Sequence, residues 1–386
     1  MTSLTDRLTA ALTPALTAAG IPGAVVAVGN RAGTQAVLAV GQMAPGGPAL
    51  ATDAVYQIAS MTKALTSVAA MQLVEQGRLA LDADIGALLP ELANPQVITG
   101  FADDGTVQTR PANGPITLRH LLTHTSGMGY DFIHAAQRRA RGANPPPAGS
   151  KAALRTPLLF DPGAEWAYGV NTDWVGLAVE AASGMMLGDW LARHVTGPLG
   201  MAETHFAAHD VPADRLVPLH ARGEGGALAP MPLWIGGGPK AEFQAGGAGL
   251  VSTAADYLKF TRMLLNGGSL DGARILQPAT VADMTRNQIG PLRAGVMETT
   301  MPAFAHRVDW FPDQHTGWGL GFMINPEAGP DGRLAGSQAW AGICNTYYWF
   351  DPEADVAAVL MMQLLPFADP GALAVLAAFE RAVYAA

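Results

Sequence analysis

The strand-forming runs of this chain cluster at its two ends, and that distribution constrains the fold more than any other feature. Gly23-Ala-Val-Val-Ala-Val-Gly29 and Gln35-Ala-Val-Leu-Ala-Val-Gly41 are short, β-branched and bounded by glycine, so they read as paired strands. Gly319-Leu-Gly-Phe-Met-Ile324, Asn345-Thr-Tyr-Tyr-Trp-Phe350 and Val356-Ala-Ala-Val-Leu-Met361 supply the remaining candidates, close to the other end. Helical periodicity occupies residues 4–19, through Leu4, Leu8, Leu12 and Leu16, and residues 371–385. It returns from Ser60 to Gln76, ended by Gly77, and from Asn171 to Ser183, with Trp174, Leu177, Ala178 and Ala181 on one face. Thr117 can cap a helix through Leu122. Asp103-Asp104-Gly105 marks a hairpin between residues 97–101 and 106–110, and residues 203–250 are rich in Gly and Pro and read as irregular. Strands at both ends and helices between them fit one antiparallel sheet built from both termini, with a helical domain inserted. The expected organisation is an α/β domain from residues 1–88 and 241–386, and a mostly helical domain over 89–240.

Composition narrows the function. Of 386 residues, 49% are hydrophobic and 14% charged, against about 25% charged in an average soluble protein. Such a chain can bury a large core. The net charge of −9 argues against nucleic-acid or acidic-membrane partners, which call for a basic face. One cysteine, Cys344, excludes an internal disulfide framework and a multi-cysteine metal site. Asp6 and Arg7 interrupt the place where a secretory signal would begin its apolar core, and no stretch is long and apolar enough for a membrane helix. A soluble cytoplasmic protein is the expectation.

The chemistry-bearing signal is Ser60-Met61-Thr62-Lys63, at the junction of an extended segment and a helix. At i and i+3 both side chains lie on one face, one turn apart. A serine hydroxyl attacks only once a base takes its proton, and a lysine kept neutral by its surroundings can be that base. The Ser60 N–H, in the first helical turn, is free to stabilise an oxyanion. The alternative for this tetrapeptide alone is a capping serine followed by a solvated lysine.

Further segments decide between these. Tyr56-Gln-Ile-Ala-Ser60-Met-Thr-Lys63, His120-Leu-Leu-Thr-His124-Thr-Ser-Gly-Met128, Tyr168-Gly-Val-Asn171 and Trp340-Ala-Gly342 follow one another in that order. Gly246-Gly-Ala-Gly-Leu-Val-Ser-Thr253 and Gly317-Trp-Gly-Leu-Gly-Phe322 stand between the last two. Over roughly residues 5 to 385 the chain resembles the serine β-lactamase and penicillin-binding protein superfamily, and within it the family VIII carboxylesterases, which look like class C β-lactamases. The resemblance implies a β-lactamase-like fold. It implies Ser60 as nucleophile, Lys63 as its partner base and Tyr168 as a second proton-transfer group, leaving open which of the last two is the acylation base. It also implies the backbone N–H groups of Ser60 and Ile343 as oxyanion donors.

Two departures from the family pattern carry information. The Tyr-x-Asn of many β-lactamases is absent, since Val170 stands two after Tyr168; Asn171, one further on, is a substrate contact or a helix N-cap. Trp340-Ala341-Gly342 stands where β-lactamases carry Lys-Thr-Gly. A lysine there suits a β-lactam carboxylate, whereas a tryptophan offers an apolar wall for a neutral ester. Tyr130 aligns with a substrate-lining position, and Phe132, Trp310 and Phe311 are further pocket candidates.

Other signals carry less. His120 and His124 have the spacing of a zinc pair without the glutamate or a third ligand, so a structural role at a helix end is expected. The Gly-x-Ser-x-Gly elbow is missing, Gly236-Gly-Gly-Pro-Lys240 lacks phosphate-loop spacing, and Cys344 reads as a packed thiol. The expected function is a serine carboxylesterase acting on small esters through an acyl-enzyme, with no metal or organic cofactor. The alternatives are a β-lactamase or D-alanyl-D-alanine peptidase, an acyltransferase of the lovastatin-synthase type, and a non-catalytic penicillin-binding-like receptor.

Overall fold

The computed structural model describes residues 3–206 and 208–385. Helix α1 (Leu4–Ala19) starts where the Ser3 hydroxyl accepts the Asp6 N–H and ends at Gly20 in the left-handed region. Its buried face is Leu8, Leu12 and Leu16. Strands β1 (Gly23–Gly29) and β2 (Thr34–Gly41) form the expected antiparallel pair. The C-terminal third contributes β3 (Gly317–Trp318), β4 (Met323–Ile324), β5 (Gln338–Gly342), β6 (Thr346–Asp351) and β7 (Val356–Met361). Together they make one seven-stranded sheet in the order β3-β4-β5-β6-β7-β1-β2.

Every neighbouring pair is antiparallel, and the two ends of the chain meet where β1 lies beside β7, Val26 opposite Leu360. All of β6, and nearly all of β1 and β7, are buried. Continuous apolar strands of this kind belong in a sheet covered on both faces. Helix α6 (Pro370–Tyr384) packs against α1, which lies on β2. Helix α5 (Ala254–Leu265) packs against β7, β1 and β6.

The run Gly319–Ile324 is not one strand. Gly319 N–H donates to the Phe322 carbonyl at 2.8 Å, and Gly321 takes a φ of +108°, so the chain reverses between β3 and β4. Strand β5, not anticipated as a strand, sits in the middle of the C-terminal half of the sheet and pairs Trp340 with Tyr348. The segment after residue 203 is mostly irregular, but His220–Arg222 pairs with Leu228–Pro230 and, in parallel, with Leu364–Leu365.

Three helices complete the surroundings of the site. Helix α2 (Thr62–Glu75) is buried along nearly its whole length. Helix α3 (Leu118–Leu122) is capped by Thr117 as expected, and α4 (Asn171–Ser183) packs against both α2 and α3. Among the described residues, no helix is long and apolar enough to cross a membrane.

The turn from β5 into β6 depends on Asn345, which is buried with φ +57°. Its amide donates to the Leu364 and Pro366 carbonyls at 2.8 and 2.9 Å, and its oxygen accepts from the Tyr347 hydroxyl and the Ala368 N–H. Asn345→Ala leaves these partners buried and unsatisfied. We expect it to lower unfolding stability by about 3 kcal/mol in urea titration; a wild-type midpoint would mean water replaces the amide.

Candidate active site

A two-residue strand, Tyr56–Gln57, pairs with Val251–Ser252 and leads into the Ser60 segment. Ala59 then takes a left-handed φ of +45°. Its methyl group packs with Leu219, Cys344 and Leu365, which holds an otherwise disfavoured turn. Ser60 follows in a 3₁₀ turn, Ala59–Met61, two residues before α2 begins at Thr62. The Tyr257 hydroxyl donates to the Met61 carbonyl at 2.8 Å, and Thr62 Oγ1 accepts the Leu250 N–H at 3.1 Å. The start of α2 is therefore held by groups outside it.

Lys63 points back over this turn and is only 2% exposed. Its Nζ donates to Ser60 Oγ at 3.1 Å, to the Tyr130 hydroxyl at 3.1 Å and to the Gly247 carbonyl at 2.7 Å. It also lies 4.7 Å from the Tyr168 ring centre and 5.3 Å from that of Tyr130, a cation–π position over both. The Tyr168 hydroxyl is bound elsewhere: Trp340 Nε1–H donates to it at 2.9 Å. Thus the tyrosine hydrogen-bonded to Lys63 is Tyr130, while Tyr168 offers the lysine its face. Burial pushes the Tyr130 hydroxyl well above its usual pKa, with Asp173 and Tyr168 adding to the effect, so Tyr130 rests as a neutral phenol.

Trp340, Ala341 and Gly342 end β5 beside Ser60. A Cβ on Gly342 would fall onto the Ile58 carbonyl and Thr346 Oγ1, closer than van der Waals contact permits. Only glycine lets the strand end come this near to the Ser60 turn. Ser60, Tyr168, Trp340, Ala341 and Ile343 line one pocket, with Phe132, Ile133, Met297, Ala305 and Phe367 as its apolar wall. Glu298 and His306 complete the lining, and Glu298 is paired with Arg307 at 2.9 Å.

Trp310 and Phe311 do not line this pocket. Trp310 packs against Tyr347 and Phe367 behind it, and Phe311 is buried in the core. Asn171 is neither an N-cap nor a pocket residue. Val170 caps α4, and the buried Asn171 amide accepts from Ser126 and bonds His124 Nδ1 at 3.0 Å and the Met128 carbonyl at 3.1 Å. It fastens the loop after α3 to α4. His120 and His124 are also structural. His120 Nδ1 accepts the Thr117 N–H in a capping box, and burial, with Lys63 nearby, holds His124 well below its usual pKa. Burial raises the Cys344 thiol to about 12, so it is inert.

This arrangement matches a known family over almost its whole length: the Beta-lactamase family model fits residues 8–382. The chain belongs to the beta-lactamase family. Within the serine β-lactamase and penicillin-binding protein superfamily, it is similar to monacolin J acid methylbutanoyltransferase of Aspergillus terreus, 35% identical over 88% of this chain and 84% of that one. It is equally similar, at 35%, to the lovastatin esterase of Penicillium rubens, over 81% of this chain and 80% of that one. Simvastatin synthase of A. terreus superposes with a TM-score of 0.83 at 30% identity, covering 100% of this chain and 99% of that one.

Sequence reasoning missed Asp173 and Gly247 beside Lys63, and Ile133, Met297 and Phe367 in the pocket wall. The available signal for Asp173 was a carboxylate directly before Trp174 at the start of a helix, although Glu180 stands in the same helix. The wall residues come from segments whose apposition no local pattern announces.

Two outcomes follow from this geometry. Trp340→Phe keeps the wall but removes the donor to Tyr168, so we expect kcat to fall on the order of tenfold, the worth of one buried hydrogen bond, with the melting temperature little changed. Unaltered kcat would remove this bond from the working site. Burial also depresses the proton affinity of His120, His124 and His134. Groups depressed in the folded state give stability that is complete above their unfolded pKa and lost as pH falls below it. Urea midpoints should therefore decline from about pH 6.5 downward, with a smaller slope in His124→Gln; parallel slopes would exclude His124 as a source.

Proposed function

We propose that the protein transfers a small apolar acyl group from an ester to an alcohol through an acyl-enzyme on Ser60, with ester hydrolysis as the competing outcome. The observation that carries this reading is the Ser60–Lys63 contact at the base of an apolar pocket. In acylation the Ser60 Oγ–carbonyl carbon bond forms and the Ser60 proton passes to Lys63. The leaving alcohol takes that proton back through the Lys63, Tyr130 and Tyr168 cluster as its C–O bond breaks. The N–H groups of Ser60 and Ile343 stabilise the oxyanion, a contribution of roughly 10²–10³ in rate per donor. Deacylation repeats these steps with an acceptor alcohol, or water, in place of the first alcohol.

The sequence ranked hydrolysis first. The balance moves to transfer because relatives 35% identical include a methylbutanoyltransferase as well as an esterase. The lining also favours an organic acceptor over water: Phe132, Ile133, Met297, Ala305 and Phe367 offer the second substrate apolar contact. Trp340 supplies no cation for a β-lactam carboxylate, which disfavours the β-lactamase reading, and the intact Ser60, Lys63 and tyrosine cluster disfavours a receptor without turnover.

The test is a short-chain p-nitrophenyl ester with a competing primary alcohol at rising concentration. We expect an acyl adduct on the peptide containing Ser60, lost in Ser60→Ala, and a new ester that displaces free acid among the products. Free acid alone at every alcohol concentration would make the protein a hydrolase. An adduct elsewhere would overturn the mechanism, and preferential cephalosporin turnover would restore the β-lactamase reading.

A further inference from the structure

We propose that Asp173 is the positioning counter-charge of Lys63, coupled to it through Gly247, and that it strengthens Lys63 as the base that takes the Ser60 proton. This rests on the acyl-enzyme reading above. Asp173 lies in the first turn of α4 and is 5% exposed. Its Oδ1 accepts the Gly247 N–H at 2.9 Å, and the carbonyl of the same glycine accepts from Lys63 Nζ at 2.7 Å. One residue thus presents its donor to the carboxylate and its acceptor to the lysine.

The glycines make that bridge possible. A Cβ on Gly247 would stand 2.8 Å from Asp173 Oδ2, and one on Gly246 would stand 2.8 Å from the Thr172 carbonyl and 3.0 Å from Thr66 Cγ2. The Gly246–Gly247 segment is therefore pressed between α2 and α4, where no side chain fits. Thr66 Oγ1 donates to the Gly246 carbonyl at 2.8 Å and fixes the segment from the α2 side.

The groups facing Lys63 come from four other places in the chain. His124 and Tyr130 follow α3, Tyr168 precedes α4, Asp173 lies on α4, and Gly247 contributes only backbone. His124 is held neutral by burial and Tyr130 rests as a phenol. Asp173 is the one carboxylate of this set. Burial raises its pKa and Lys63 lowers it, which ties the two charges together across the site. An ammonium taken out of water needs such a partner. When Ser60 gives up its proton, the positive charge on Lys63 forms beside a carboxylate already in place. No solvent has to reorganise, which is the condition for electrostatic preorganisation.

The experiment is the pH dependence of kcat/KM for p-nitrophenyl butyrate in wild type, Asp173→Asn and Asp173→Glu, on protein whose folding is checked by its melting transition. Asp173→Thr, which also keeps an oxygen for the Gly247 N–H, replaces the asparagine variant if that one does not fold. Without the carboxylate, positive charge gathered around Ser60 during proton transfer loses its stabilising partner. We expect the acidic limb to move down by about one pH unit, the low end of the effect of a nearby opposite charge. We also expect the plateau to fall several-fold with KM unchanged, and the limb to return toward wild type in Asp173→Glu. A limb that stays in place in the neutral variants, whatever the loss of rate, makes Asp173 a structural anchor and overturns the proposal, as does a limb that moves up. If wild type itself shows no Ser60 adduct, the acyl-enzyme reading fails instead, and the two failures are distinct.

Discussion

The burial of one lysine amino group organises this molecule. Lys63 is almost wholly out of water, and a lysine is rarely fully buried unless each N–H finds an acceptor and the charge finds a partner. Its acceptors are Ser60 Oγ, the Tyr130 hydroxyl and the Gly247 carbonyl. They come from the start of α2, the loop after α3 and the glycine segment before Val251. Those three segments must meet at one point, and the devices around them serve that meeting. Asn171 fastens the loop after α3 to α4, and the Met61 and Leu250 contacts hold the first turn of α2. Gly246 and Gly247 give up side chains so that α2 and α4 can close on them.

The second constraint is the aromatic wall opposite the lysine. Trp340 stands 4.7 Å from Trp318 and 4.9 Å from Tyr168 between ring centres, and His124 lies against both Tyr168 and Trp318. Trp318 Nε1–H is satisfied by the Leu122 carbonyl and Trp340 Nε1–H by the Tyr168 hydroxyl. A wall of this kind is apolar toward the pocket, with its indole N–H groups satisfied behind it. It holds the Tyr168 ring over Lys63, so the aromatic wall also positions the groups around that lysine.

Much of this was legible in the residues. The Gly-bounded runs at 23–29 and 35–41 became paired strands; the first is buried on both faces and so continuous in apolar residues, while the second is the half-exposed edge. Ser60 and Lys63 meet because a spacing of three on a helical turn places side chains on one face. The run 319–324 misled, since its two glycines read as strand punctuation but make a reversal. Strand β5 was hidden because Gln338-Ala-Trp-Ala-Gly342 is short, and what makes it a strand is β6 alongside, not its own propensity. Asn171 looked like a cap because Asn favours caps, and tertiary partners took its amide instead.

The sequence by itself determined which residue types stand at Ser60, Lys63, Tyr168 and Trp340, and the order that brings both ends of the chain into one sheet. Local spacing and the hydrophobic pattern carry that much, since both act over a few residues. Only the tertiary structure decided that Tyr130 rather than Tyr168 hydrogen-bonds Lys63, that Trp340 donates to Tyr168, and that Asp173 reaches the lysine through Gly247. Those partners lie between 67 and 184 positions apart. No local pattern encodes such pairs: the cost of burying a charge or a hydrogen-bonding group unpaired selects them only once the helices and the sheet have closed around it.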